Sequence, residues 1–139
     1  MSLSQVLLVF ASVLVAARAF EAKVETQAIY DRWRNRTEQE HPECEKTWPI
    51  TNDEKDGYFR QHKVTDTPTF KCYLNCIHMA FNLTDENGRI NRDQFFKTFE
   101  RMTYQMLDFC DGSVVEQTDK CAQIYDYVDC LMHYGKVYA

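Results

Sequence analysis

Cys44, Cys72, Cys76, Cys110, Cys121 and Cys130, four histidines and Ser113 are the side chains of this 139-residue sequence best suited to chemistry. A zinc site needs Cys-x2-Cys or closely spaced His pairs, and neither occurs. His41, His62, His78 and His133 form no H-E-x-x-H arrangement. His78 reads more readily as a satisfied core or rim residue than as a ligand. Ser113 is the sole serine beyond residue 19, and Val115 stands where a nucleophile elbow needs its last glycine. Asp85-x-Asn87-Gly88-x-Ile90 has the middle of an EF-hand loop, but Gly88 at loop position six puts Leu83 first and Gln94 last. Without a carboxylate at either end, a plain turn is the better reading. A calcium-dependent secreted phospholipase would need a His-Asp pair beside adjacent cysteines, which is also missing. Nothing here calls for an enzyme, a metal or a cofactor.

What the cysteines do depends on compartment. Val6 to Ala17 is an apolar run of twelve, too short for a bilayer span, and Ala17-Arg18-Ala19 supplies small residues at a signal-peptidase site. Cleavage before Phe20 removes a 1–19 leader and places residues 20–139, as one domain, outside the cell. Six cysteines there imply three disulfides, with 15 pairings open. Cys72 and Cys76 lie four apart in a helical pattern and project from one face, so they are badly placed to bond each other.

The charge balance is 16 Lys and Arg against 21 Asp and Glu, a formal net charge of −5, which makes nucleic acid an unsuitable partner. Aromatics reach 14% with only four Gly and three Pro, a composition that argues against a turn-dense β-sandwich. Asn35-Arg36-Thr37 and Asn82-Leu83-Thr84 are glycosylation sequons.

The elements that must position these residues read as helices. Ile29 and Trp33 mark an amphipathic first helix from about Ala22 to Glu40. Thr51 and Glu54 form a capping box for a second, ending near His62. Thr67-Pro68 opens a third that runs to about Asn82 and is apolar around much of its surface. Asp85 to Gly88 is a turn. Asn91 caps a fourth helix on which Phe95, Phe99, Met102 and Met106 form one stripe, and Asp111-Gly112 breaks the chain after it. Thr118 caps a last helix ending near Gly135, with Ile124, Val128 and Leu131 on one face. The expected fold is all-α, held by three disulfides.

Successive cysteines are separated by 27, 3, 33, 10 and 8 residues. With Phe70-Lys71-Cys72-Tyr73-Leu74-Asn75-Cys76 and the following Asp85-Glu86-Asn87-Gly88, this pattern resembles the insect odorant-binding proteins, the pheromone- and general-odorant-binding family. The resemblance covers the whole chain after the leader. It implies about six helices around an apolar cavity, with bridges Cys44–Cys76, Cys72–Cys121 and Cys110–Cys130. It also implies a secreted carrier of small hydrophobic molecules such as odorants or pheromones, with a membrane odorant receptor as a further partner and a monomeric or homodimeric state. The alternatives are an extracellular relative, salivary for example, that sequesters amines or lipids, and a small secreted enzyme. An amine carrier would need acidic and aromatic residues inside; an enzyme would need a polar triad or a metal site.

A carrier wall can be assembled from the apolar stripes. Phe95, Phe99, Met102 and Met106 would face Tyr73, Ile77 and Phe81 across a cavity, with Ile124, Val128 and Leu131 completing it. The same stripes would serve equally as a solid core. Adaptable methionines and the disulfides favour the cavity. Tyr and His groups at the rim would hydrogen-bond an alcohol, aldehyde or ester oxygen. The nine residues after Cys130 suggest a pH-sensitive lid, with Gly135 turning Val137 and Tyr138 back as a plug and His133 near the entrance.

Overall fold

A computed structural model describes residues 26–138, with side chains as far as Tyr134. The expected leader at 1–19 and the expected start of the first helix lie outside the described residues. Within them the chain is all-α. The helices are α1 (residues 26–40), α2 (Pro42–Thr47), α3 (Asn52–Phe59), α4 (Pro68–Ala80), α5 (Arg92–Thr98), α6 (Tyr104–Ser113) and α7 (Lys120–Tyr138). The sole extended pairing among the described residues is an isolated bridge, Thr84 to Ile90. No helix there is long and apolar enough to cross a membrane.

Local chemistry sets most of the boundaries. On α1, Trp33 and Thr37 are buried four residues apart, while the outer face carries Arg34–Glu38 and Arg36–Glu40 ion pairs, each at 2.9 Å. The Thr51–Glu54 capping box forms in both directions, with Glu54 N donating to Thr51 Oγ1 at 3.1 Å and Thr51 N to Glu54 Oε2 at 2.8 Å. α3 ends at Phe59, before His62, which takes a left-handed φ of 54°. Thr67 Oγ1 accepts from Phe70 N at 3.3 Å, and Pro68 occupies N1 of α4.

α4 closes on a Schellman motif. Asn82 adopts φ 57°, Asn82 N donates to Met79 O at 3.0 Å, and Leu83 N donates to His78 O at 2.8 Å. The next turn uses Asp85 as its organiser: Oδ1 accepts from Asn87 N and Arg89 N at 2.8 and 2.9 Å. Gly88 supplies the positive φ there, 77°.

Five features differ from the sequence expectation. The short helix α2 is additional to the helices that the sequence spacing marks; His41-Pro42 starts it, and it carries Cys44. The expected fourth helix is two helices. Phe99 leaves α5 in an extended conformation, Met102 N donates back to Phe99 O at 2.9 Å, and Thr103 caps α6 by accepting from Met106 N at 3.2 Å. Gly112 does not break α6, which continues to Ser113. α7 is capped by Asp119, whose Oδ1 accepts from Cys121 N at 2.9 Å, and not by Thr118. That helix then passes through Gly135 to Tyr138, so the chain does not turn back as a lid. One helical glycine costs ~1 kcal/mol relative to alanine, too little to end a long helix. The side chain of Val137 lies outside the described residues.

α4 is the central strut, packed along α7 and against α2, while α6 packs on α7. The bridges follow these contacts. Cys44–Cys76 joins α2 to α4, Cys72–Cys121 joins α4 to α7, and Cys110–Cys130 joins α6 to α7, with Cα separations of 5.6, 4.6 and 5.8 Å. These are the pairs that the family resemblance implies. Cys72 and Cys76, on successive turns of α4, reach different partners.

Candidate ligand-binding site

The helices surround a half-open cavity of about 590 Å³. Its floor is built from Trp33 of α1, Tyr58 of α3, His78 of α4 and Phe95 of α5, each no more than 3% exposed. Phe99 and Met102, in the link between α5 and α6, form one wall with Met106 of α6. Val128, Leu131 and Met132 of α7 line the cavity as well. Thr26, Arg101, Thr103 and Gln105 surround the mouth. Arg101 Nη1 donates to Thr26 Oγ1 at 2.7 Å, and Arg32 meets Glu100 at 2.6 Å, so the α5–α6 link is tied to α1. Both contacts are exposed, and each adds at most ~1 kcal/mol.

Aromatic rings hold the floor in shape. Trp33 meets Phe99 edge-on at 5.2 Å and His78 at 6.0 Å, and His78 stacks on Phe95 at 5.8 Å. Trp33 Nε1 donates to Tyr58 Oη at 3.3 Å. Tyr30, partly buried on the cavity wall, stacks on His62 at 4.1 Å. Burial pushes the Tyr30 phenol up to about 12 and the Tyr58 phenol higher still. Burial also lowers the His78 imidazole to about 4, against the opposing pull of its bond to Leu74 O. These groups are therefore neutral near pH 7. Arg101, at the mouth, is the one Asp, Glu, Lys or Arg among the described lining residues, so the wall holds no carboxylate.

The structure brings together six of the expected site residues on this wall: Phe95, Phe99, Met102, Met106, Val128 and Leu131. The break after α5 preserves the stripe, because the link carries Phe99 and Met102 along the same side before α6 presents Met106. Tyr73, Ile77, Phe81 and Ile124 are not on it. Ile77 and Ile124 are buried in the core, 0% and 1% exposed. Tyr73 faces the other side of α4, toward Thr37 and Glu45. Phe81 is covered by Trp33 at 4.8 Å, His41 at 4.6 Å and the Arg36 guanidinium at 4.6 Å. α4 is apolar on several faces, and His78 is the residue it gives to the cavity. Tyr58 and His62 come from the end of α3 and the loop after it, and no helical period announces either.

A disulfide-bonded helical shell around a cavity with no carboxylate among its described lining residues, within the ~300–1,000 Å³ usual for ligand sites, defines a small-molecule-binding protein. The chain belongs to the PBP/GOBP family, which its sequence matches over residues 28–134. That family binds small hydrophobic ligands. Comparisons with curated proteins and with solved structures return no match.

Proposed function

We propose that this protein is a secreted carrier that takes up a small, neutral, hydrophobic molecule, such as an odorant or pheromone, and holds it in solution for delivery to a membrane receptor. No bond is made or broken. The observation that carries this reading is the cavity of about 590 Å³ walled by Trp33, Phe95, Phe99 and three methionines. At ~0.8 kcal/mol per buried CH₂, a ligand of roughly ten carbons gains up to ~8 kcal/mol on entering, the gross gain that offsets its lost freedom. Methionine in the lining lets the cavity adapt to differently shaped chains. An amine carrier is disfavoured, because the described wall offers a buried ammonium no carboxylate.

The test is displacement of N-phenyl-1-naphthylamine from the purified protein by medium-chain aliphatic ligands. Met102→Trp should fill the space between the α5–α6 link and α7 and weaken probe binding about tenfold or more, while helical circular dichroism is unchanged. Undiminished binding in both Met102→Trp and Phe99→Trp would show that the ligand does not use this cavity.

A further inference from the structure

Two polar groups on the cavity floor each have one function committed and one left over. His78 is 1% exposed, and its Nδ1 lies 2.7 Å from Leu74 O. A carbonyl oxygen can only accept, so Nδ1 carries the proton. In a neutral imidazole the other nitrogen is then a bare acceptor. Burial keeps the ring neutral, with its pKa lowered to about 4. Nε2 therefore presents a lone pair that no donor among the described residues meets. Tyr58 is its complement. Its oxygen accepts from Trp33 Nε1 at 3.3 Å, which leaves the O–H as a donor without an acceptor among the described residues. Both groups line the same cavity and both flank Trp33, whose ring centre is 6.0 Å from that of His78.

We propose that the cavity selects ligands carrying a neutral hydroxyl, with the ligand O–H donating to His78 Nε2 and its oxygen accepting from the Tyr58 O–H. This rests on the carrier reading above and names the chemical class of its cargo: an aliphatic alcohol. An ether, aldehyde or ester oxygen can accept from Tyr58 but meets the His78 lone pair with another lone pair. Binding such a molecule expels water and leaves Nε2 without a partner, which is the costly outcome for a buried polar atom. A carboxylate is repelled by the same lone pair, and an ammonium brings a charge that nothing on the floor balances. A site built to hydrogen-bond a hydroxyl rejects the analogue that lacks it more strongly than an apolar pocket can.

The experiment compares 1-decanol with its isomer 1-methoxynonane, which has the same atoms but no O–H, as competitors of bound N-phenyl-1-naphthylamine. Decanol should displace the probe at an about tenfold lower concentration, the effect of one buried hydrogen bond. In His78→Phe that preference should fall to within about twofold, because the ether no longer leaves a buried nitrogen without a partner. Nitrogen NMR of His78 in the unaltered protein gives a second readout if the variant fails to fold. The Nε2 resonance should move on adding decanol and stay in place with the ether. Equal displacement by the two isomers in the unaltered protein, or an Nε2 signal indifferent to which is bound, overturns the hydroxyl preference and leaves the carrier reading intact. If neither molecule displaces the probe, the carrier reading fails and the preference fails with it.

Discussion

Acid should loosen this fold through His78 before it reaches the carboxylates. An unfolded histidine titrates near 6.5, whereas burial against Trp33 and Phe95 lowers the folded value to about 4. Between those values the unfolded chain binds the proton and the folded one does not, so stability falls as pH falls. The advantage of keeping this ring neutral is fully present above about 6.5 and is lost progressively down to about 4. At ~1.4 kcal/mol per pH unit that interval corresponds to roughly 3 kcal/mol, a large share of a small domain's stability. With 1% of the residue exposed, solvent does little to reduce it. Glu54 contributes in the same direction but at lower pH. Burial raises its pKa, yet bonds from Thr67 and Thr51 outweigh that and hold it below its usual value. Urea unfolding followed by circular dichroism, at pH values from about 7.5 to 4.5, measures the slope in the histidine window. The unaltered protein should lose most of the expected stability there, and His78→Phe should show a flatter dependence. Parallel slopes for the two proteins, or an imidazole signal of His78 titrating near ~6.5, would refute the reasoning.

Removing the bridge with the longest span, by Cys72→Ala with Cys121→Ala, opens a loop of sequence separation 49. The loss should be roughly 4 kcal/mol, measured by urea unfolding, against ~3 kcal/mol for the Cys110–Cys130 bridge with separation 20. Thr67 caps α4 through its oxygen and donates to Glu54 Oε1 at 2.5 Å, so Thr67→Ala removes both contacts. It should cost about 1–2 kcal/mol by the same measurement, with the bridges still formed in non-reducing peptide maps.

The sequence reveals the fold mainly where side chains act locally. Thr51, Thr67 and Asn91 announce their helices because each caps by bonding a backbone N–H three residues on. The link between α5 and α6 is hidden for the opposite reason. Phe95, Phe99, Met102 and Met106 keep helical spacing across it, and that periodicity masks the cap at Thr103. It records which side of the chain faces the cavity, and it is silent on whether one helix or two carry it. On α4 the period fails differently. With Tyr73, Leu74, Ile77, His78 and Phe81 all buried, no apolar stripe distinguishes the face turned to the cavity from the faces packed in the core. His78 and Tyr58 meet through Trp33, from helices far apart in sequence, and that juxtaposition exists in the folded chain alone.

Methionine methyl groups give the most direct test of the carrier account. Met102, Met106 and Met132 line the cavity, whereas Met79 lies outside it and is 38% exposed, so the protein carries its own control. Carbon-13 methyl spectra recorded during addition of 1-decanol should show the three cavity signals moving together and saturating at one ligand per chain, with Met79 unmoved. Cavity methyls that stay in place while the ligand binds, or a response confined to Met79, would contradict the account.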